Sequence, residues 1–447
     1  MTKSTLRIEA NSRSLIVTRR IGLSVTWMLV SFSAENVMAE FDFEVQTGLV
    51  RTDNLGRLRD SEVDDAIAGA GVSIRYEEIR PNADVELLAN VSYLEYLDNS
   101  FEPETLEAVS AAIEYTVIPD LFTWSLDDTS GQQILDPLQA ITPSNREATN
   151  ILATGPDISV RFGQRWTTTL GGRYIDNYYE IRELDNERLV GLLSVQRELS
   201  INRAISLEIN TQRVEFDDTS LNDDYDRDNL YLLFTSETGH TAIEVSLGRT
   251  ELRGLETTES GPLFALDASR QIGAYSELTG AIGSGLTDGG EIFQFLGGGD
   301  LGATQDIVGV SDPLRNRYVV GGFSFLRQQT NIGVTARVSD EEFVTRSDLD
   351  RGLSNLLVYF SREFQSGWET RISASMGRRR FELSDRRDED VAVRMAVSRR
   401  VGRQARLNFS YDYIQRDSSE VDVEYEENRI GFGFSYGTDV LNSSFID

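Results

Sequence analysis

The sequence predicts an all-β fold, a transmembrane antiparallel up-and-down β-barrel of about 20 strands, with about 16 to 22 as the allowed range. Three observations lead to this prediction. Apolar and polar residues alternate along most of the chain, and the connections between the alternating stretches are short and long in turn. After residue 39, no apolar run approaches the roughly 18 residues of a membrane helix.

The alternation is clearest near the end of the chain, in RIGFGFSY at 429–436, where every second residue is large and apolar. Successive side chains of a strand point to opposite faces, so this stretch has one aromatic face and one small, polar face. The same pattern recurs at 85–93, 331–338, 371–376, 391–398 and 406–413. A soluble sandwich needs only about seven to nine strands, and no linker divides the chain into several sandwiches. A closed barrel turns every apolar face toward lipid and leaves no free edge.

The connections support a barrel wired through short turns on one side of the membrane and longer loops on the other. Tight turns are expected at Pro119-Asp120, Gly163-Gln164 and Gly402-Arg403, among others. Longer, acidic connections alternate with them, at 217–228, 339–350, 382–390 and 417–428. Transmembrane barrels combine short periplasmic turns with long external loops. Trp166 and Trp368 follow tight turns, as an aromatic girdle at the membrane interface requires.

Composition excludes several classes of protein. The 447 residues carry a formal net charge of −30 and contain no cysteine. Without cysteine, neither a disulfide framework nor a cysteine-ligated metal is possible. The acidic balance argues against nucleic acid as a partner, because nucleic acid requires basic patches.

The N-terminus predicts export. Basic residues end at Arg20, an apolar run follows, and Val37-Met38-Ala39 suits cleavage before Glu40. An uncleaved anchor is the alternative, although the run of about a dozen residues is short for a membrane span. We therefore predict a signal peptide at 1–39, an outer-membrane barrel at 40–437, and a short periplasmic tail at 438–447. Barrel-assembly machinery is the expected folding partner, since the last strand has the polar and aromatic pattern that it recognises.

Several stretches together resemble a known family: 51–54 (RTDN), 124–128 (WSLDD), 136–137 (DP), 142–146 (TPSNR), Asn150 and 155–157 (GPD). They are similar to the outer-membrane β-barrel family associated with PEP-CTERM/exosortase and exopolysaccharide systems, which is related to porin-like barrels. The resemblance covers roughly residues 40–437. It implies a Gram-negative outer-membrane protein serving export of, or passage beside, a surface polysaccharide, with polysaccharide-export components as partners. It implies no catalytic residues.

The alternation also predicts which charged side chains face the lumen. Seven arginines are expected to point inward: Arg173, Arg337, Arg371, Arg379, Arg394, Arg406 and Arg429. They could brace the wall through ion pairs, or they could favour anionic solutes, since fixed positive charge lowers the cost of an anion's entry. Both readings stay open, and they are compatible.

Long connections are expected at 128–156 and 287–314. Long structureless loops are usually functional or disordered. The first is the third external loop, and we expect it to narrow the lumen, with Asn145, Arg146 and Glu147 as exposed polar residues.

Other motifs are weaker. His240, the single histidine, lies in an expected tight turn without a nucleophile's framework around it, which disfavours a hydrolase. GGGDLG at 297–302 has the spacing of a dinucleotide loop but no convincing helix after it. Asp224, Asp226 and Asp228 are spaced as in a calcium loop, yet Asn229 and Thr235 stand where glycine and glutamate are needed. We expect no catalytic, cofactor or metal site, although loose binding of divalent cations by the acidic loops stays open.

The expected function is a porin-like, non-enzymatic conduit for an exopolysaccharide or for anionic solutes, in contact with outer-membrane lipid and lipopolysaccharide. The alternative is a plugged structural or surface-interaction barrel without transport.

Overall fold

The computed structural model describes residues 38–219, 222–255, 258–295 and 312–438. Within these residues the chain forms 20 strands and one short α-helix. The first ten strands are β1 (Met38–Thr52), β2 (Asp65–Arg80), β3 (Ala83–Tyr96), β4 (Glu104–Ile118), β5 (Phe122–Ile134), β6 (Arg146–Phe162), β7 (Trp166–Tyr179), β8 (Asn186–Ser200), β9 (Arg203–Phe216) and β10 (Tyr225–Glu237). The others are β11 (Thr241–Arg253), β12 (Glu259–Gln271), β13 (Ser276–Asp288), β14 (Pro313–Arg327), β15 (Thr330–Phe343), β16 (Arg351–Glu363), β17 (Trp368–Phe381), β18 (Arg387–Val401), β19 (Ala405–Ser418) and β20 (Tyr425–Gly437). The helix α1 spans Gly289–Phe295.

Each strand pairs antiparallel with its neighbours in the chain, and β1 pairs antiparallel with β20. That last pairing runs from Glu44 opposite Gly437 to Thr52 opposite Arg429, so the sheet closes on itself. The predicted closed up-and-down barrel of 20 strands is confirmed. Two short turns, at Gly163 and Gly402, place glycine at positive φ, 65° and 78°, a conformation that other residues rarely adopt.

The outer face of the barrel is apolar. In β20, Ile430, Phe432, Phe434 and Tyr436 are 53%, 58%, 41% and 45% exposed. The intervening Arg429 and Ser435 are buried on the opposite face. A continuous row of exposed apolar side chains is unfavourable in water but favourable in contact with lipid. Within the described residues, no helix is long and apolar enough to cross a membrane.

Buried apolar clusters gather at the end of the barrel that carries the long connections. One cluster joins Leu55 to Ile67, Leu94, Tyr96 and Leu106 on the first strands. A second joins residues of β9, β10, β11 and β13, namely Val214, Phe216, Tyr225, Leu252 and Leu286. These side chains are buried because chain segments cover them from inside the lumen.

The strand β13 supplies one of those segments. It pairs with β12 only from Phe264 opposite Ser284 to Gln271 opposite Glu277, but it stays paired with β14 as far as Asp288 opposite Pro313. The guanidinium of Arg227 donates to the carbonyl oxygen of Leu286 at 3.3 Å. The outer end of β13 therefore separates from β12, stays paired with β14 and leads into the lumen, where the chain continues as α1.

The structure corrects the bounds of two expected connections and leaves some predicted segments outside its described residues. The connection expected at 128–156 is only 135–145, because β5 and β6 extend into both of its flanks. Of the connection expected at 287–314, residues 287–288 end β13, 289–295 form α1, 313–314 begin β14, and 296–311 lie outside the described residues. Residues 1–37 of the predicted signal peptide, the GGGDLG stretch and the tail beyond residue 438 lie outside the described residues, whereas Met38 and Ala39 begin β1.

Candidate functional site

The lumen is lined by the inward-facing residues of each strand, which alternate with the exposed apolar residues of the outer face. All seven arginines predicted for the lumen occupy inward positions, six of them between β15 and β20 and one on β7. Their surroundings differ in how far each charge is neutralised.

The outer half of the arginine-rich wall carries linked ion pairs. The Nε of Arg416 on β19 donates to Oδ1 of Asp390 on β18 at 2.7 Å, and Arg379 on β17 contacts the same carboxylate. On β20, Arg429 donates to both carboxylate oxygens of Glu427, at 2.7 and 3.1 Å. Arg379 and Arg416 brace neighbouring strands against β18, whereas the Arg429–Glu427 pair lies within β20.

The half near the short turns has a similar arrangement around Glu369 of β17. One carboxylate oxygen accepts from Arg371 at 2.7 Å, and the other accepts from Arg406 of β19 at 2.9 Å. Two guanidinium groups thus share the carboxylate of Glu369.

Arg337 differs from the others. Its guanidinium lies over the ring of Tyr318, 5.9 Å from the ring centroid. No carboxylate in the described part of the chain lies within ion-pair distance of it. A guanidinium over an aromatic face keeps donors available, so Arg337 presents positive charge to the lumen.

Arg173 on β7 lies on the far side of the barrel and braces the wall. It pairs with Asp157 of β6, donates to the carbonyl oxygen of Pro156 at 2.9 Å, and is 7% exposed. It has little surface to offer a solute.

The connection 135–145 spans the mouth of the barrel. The carbonyl oxygen of Ile141 accepts from Arg57, in the β1–β2 connection, at 2.6 Å. The carbonyl oxygen of Leu138 accepts from Arg386, in the β17–β18 connection, also at 2.6 Å. Arg386 stands well across the ring from β5 and β6, and Arg57 stands between them along the rim, so the connection reaches across the mouth.

The exposure expected for Asn145, Arg146 and Glu147 was wrong. Asn145 is 5% exposed and folds the connection: its Oδ1 accepts from the backbone of Asp136 at 2.9 Å, and its Nδ2 donates to two carbonyl oxygens. Glu147 is 1% exposed and pairs with Arg182, while half-buried Arg146 pairs with Glu104. Strand pairing begins at Arg146, which places the last two in the wall.

The second crossing segment is the outer end of β13 together with α1. Arg188 of β8 donates to both carboxylate oxygens of Asp288, at 2.7 and 3.1 Å, and Arg227 of β10 pairs with Glu291 of α1. Phe293 packs on Ile151 of β6, and both are fully buried. The segment is thus fastened to the β6–β10 side by ion pairs and apolar contact.

The same helix reaches the opposite side. Ile292 packs against Leu314 of β14, Phe343 of β15 and Leu349 of the β15–β16 connection. We call the outer end of β13 and α1, residues 285–295, the plug. Because it contacts β6 on one side and β14 and β15 on the other, the plug spans the lumen.

Between the plug and the β14–β20 wall lies a cavity of about 680 Å³. Ile141, Gly289 and Ile292 close it on the side of the two crossing segments. The charged residues that line it are Arg57, Arg337, Arg351, Arg379, Arg394 and Arg416, with Glu341 and Asp390. With Glu427, which pairs with Arg57 at 3.0 Å, six cations meet three carboxylates, so this cavity has an excess of positive charge in a chain that is strongly acidic as a whole.

The sequence pattern missed some of these residues. Arg416 has the same parity as Arg406 on β19, so the alternation could have assigned it to the lumen. Arg188 and Arg227 have the same kind of inward position on β8 and β10, but their role in holding the plug depends on a segment distant in the chain. Arg57 lies in an irregular connection, where alternation gives no signal.

One titratable group at the outer rim stands out. Burial raises the pKa of Asp312, although hydrogen bonds from the hydroxyl and backbone N–H of Thr345 and from the backbone N–H of Arg346 oppose the shift. This carboxyl ties the end of the connection before β14 to the turn after β15.

The remaining motifs have structural roles. His240 lies in the β10–β11 turn, where its carbonyl oxygen accepts from Gln271 at 2.9 Å. Asp224 accepts from the backbone N–H of Phe216 at 2.8 Å, and Asp228 pairs with Arg253. No group of three potential metal ligands occurs among the described residues.

No protein-family model matches this chain, and no curated protein matches it. Among solved structures, the chain is similar to OccK2 (OpdF) of Pseudomonas aeruginosa in complex with glucuronate, at 10% identity and a TM-score of 0.38, over 89% of this chain and 98% of that one. It is also similar to the siderophore receptor PirA of the same organism, at 11% identity and a TM-score of 0.41, over 88% and 80% of the two chains. OccAB4 of Acinetobacter baumannii gives 9% identity and a TM-score of 0.38, over 89% and 98%. The fold class is established by this chain's own strand pairing.

Proposed function

We propose that this barrel resides in the outer membrane of a Gram-negative bacterium and is a porin-like, non-enzymatic conduit for small anionic solutes, acidic sugars among them. The electropositive cavity beside the plug carries the proposal. An anion loses hydration in a narrow passage, and fixed positive charge on the wall offsets that loss. Arg337 contributes most directly, because an aromatic ring is its partner and it presents charge to the lumen.

The test is ion selectivity in planar bilayers formed with the purified full-length mature barrel. Under a salt gradient, we expect a reversal potential that reports preference for anions. The double variant Arg337→Gln/Arg394→Gln should move that potential toward cation preference, since it removes two cavity charges. The control is Arg378→Gln/Arg387→Gln, two exposed arginines on the outer face, which should leave the potential unchanged.

A cation-selective wild-type barrel, or identical potentials for both double variants, would overturn the proposal. A second candidate, a plugged structural barrel, is favoured by the buried ion pairs that hold the plug. It predicts no current from the wild-type barrel at any potential that the bilayer tolerates.

An association with exopolysaccharide export is a further proposal, supported by the family resemblance alone. Deleting the gene should then lower surface polysaccharide, and complementation with the Arg337→Gln/Arg394→Gln variant should restore less than complementation with the wild type. Unchanged surface polysaccharide in the deletion strain would speak against it.

A further inference from the structure

We propose that the end of the barrel carrying the short turns binds the phosphate groups of anionic phospholipids in the periplasmic leaflet. The binding surface consists of four pairs of side chains on the outer face, which we call the arginine–aromatic girdle. The pairs are Arg197 with Trp166, Arg327 with Tyr275, Arg362 with Phe364, and Arg399 with Trp368. The inference rests on the outer-membrane placement proposed above, but not on conduction.

In each pair the guanidinium lies over the aromatic ring. The distances from the guanidinium carbon to the ring centroid are 5.4, 5.2, 5.5 and 4.8 Å in the order given. The four rings are 45%, 49%, 43% and 42% exposed. A ring below a guanidinium fixes its plane and leaves its edge, where the N–H donors lie, open to another group.

The register of the sheet places these pairs at one level. Trp166 stands directly opposite Arg197 in the β7–β8 pairing, and Trp368 stands directly opposite Arg399 in the β17–β18 pairing. Arg327 and Arg362 lie at the short-turn ends of β14 and β16. All four arginines therefore stand where the apolar belt ends, at the depth of lipid head groups.

The charges of the girdle are not neutralised by protein. No carboxylate in the part of the chain that the structure describes lies within ion-pair distance of any of its four arginines. Several exposed arginines at the opposite end of the outer face do have such partners. Arg213 pairs with Glu215 at 2.9 Å, Arg378 with Glu389 at 3.0 Å, and Arg249 approaches Glu251 at 3.9 Å.

This difference between the two ends identifies the ligand. Guanidinium groups bind phosphate through two parallel hydrogen bonds. Short turns of outer-membrane barrels face the periplasm, where the head groups at this depth belong to phospholipids. Anionic lipids attract surface arginines by an amount that corresponds to about fivefold in affinity per residue. The girdle thus fits a phosphatidylglycerol-like head group better than a zwitterionic one.

The full-length mature barrel is placed in nanodiscs that contain equal amounts of phosphatidylglycerol and phosphatidylcholine. Native mass spectrometry then measures which lipids stay bound to the barrel after its release from the nanodiscs. We expect the wild-type barrel to retain phosphatidylglycerol in excess. The variant Arg197→Gln/Arg327→Gln/Arg362→Gln/Arg399→Gln should lose most of that excess, about fivefold for each site emptied. The control Arg213→Gln/Arg249→Gln/Arg378→Gln should keep it.

Retention of the two lipids in equal amounts by the wild-type barrel would overturn the inference without any variant, so a folding defect in the fourfold variant cannot obscure the result. Equal retention of phosphatidylglycerol by the fourfold variant and by its control would also overturn the inference. Because the girdle is on the outer face, the fourfold variant should keep wild-type ion selectivity. The lipid result is therefore separate from the test of conduction.

Discussion

Arg188 and Asp288 lie 100 residues apart in the chain and form a bidentate ion pair, with N–O distances of 2.7 and 3.1 Å, in which both side chains are fully buried. The hydroxyl of Tyr225 donates to the same carboxylate at 3.3 Å. Asp288 is the last residue of β13, and its backbone is followed at once by α1. The pair consequently fastens the start of the plug to the wall at β8.

Breaking this pair should release the plug. In Asp288→Asn, the buried guanidinium of Arg188 loses its counter-charge, and removal of one partner from a buried ion pair costs about 3–5 kcal/mol. We expect a higher single-channel conductance, or frequent steps to a larger open state, in planar bilayers.

The matched control is Asp340→Asn, which breaks an exposed pair with Arg317 on the outer face. Exposed pairs contribute about 0–1 kcal/mol, so this variant should conduct as the wild type does. Identical conductance in Asp288→Asn and Asp340→Asn would show that the pair does not hold a closed plug.

Glu369 gives a second prediction, about charge near the short turns. Its carboxylate is shared by Arg371 and Arg406. Glu369→Gln keeps the shape but leaves both guanidinium groups without a counter-charge, and we expect a stronger preference for anions in reversal-potential measurements.

Glu389→Gln is the control, since Glu389 pairs with Arg378 on the outer face, where 55% of its side chain is exposed. This variant should leave selectivity unchanged. A shift of Glu369→Gln toward cations would contradict the assignment of these arginines to the conducting surface.

Asn145 tests the segment that bridges the mouth. Its amide makes three hydrogen bonds within 136–145, each of which contributes about 0.5–1.5 kcal/mol. Asn145→Ala should loosen the bridge and raise current noise, and replacement of 136–144 by two glycines should raise mean conductance.

The neighbouring Ser144 serves as the control, because it is exposed and its hydroxyl makes a hydrogen bond with that of Thr142 at 3.1 Å. The current noise of Ser144→Ala should equal that of the wild-type barrel. If the shortened barrel conducts no more than the wild type, the bridge does not restrict passage.

The wall of the barrel was predictable from sequence for a physical reason. Lipid outside and water inside impose a period of two on every strand, and Phe432, Phe434 and Arg429 follow it without interruption. The same rule assigned Arg337 and Arg394 to the lumen. Short turns could be predicted because some of their positions require a positive φ, which glycine adopts readily, as at Gly163 and Gly402.

The plug and the bridge were not predictable by that rule. The helix α1 is only seven residues long, and a single turn or two has no periodicity to detect. Asn145 was expected to be exposed, but its partners are backbone groups whose positions depend on how the connection folds. Arg57 and Arg386 reach the bridge from connections far along the chain, a contact that local patterns do not encode.

The last prediction concerns the apolar belt at the seam between β20 and β1. Phe432 is 58% exposed and stands opposite Leu49 of β1 and Phe409 of β19. Arginine on the lipid face costs about 2–4 kcal/mol at the membrane centre and about 0–1 kcal/mol near the interface. Phe432→Arg should therefore lower the free energy of unfolding in vesicles, measured by urea titration, whereas Glu426→Arg, on the same face beyond the belt, should change it little. Equal stability of the two variants would mean that this face of β20 does not contact lipid.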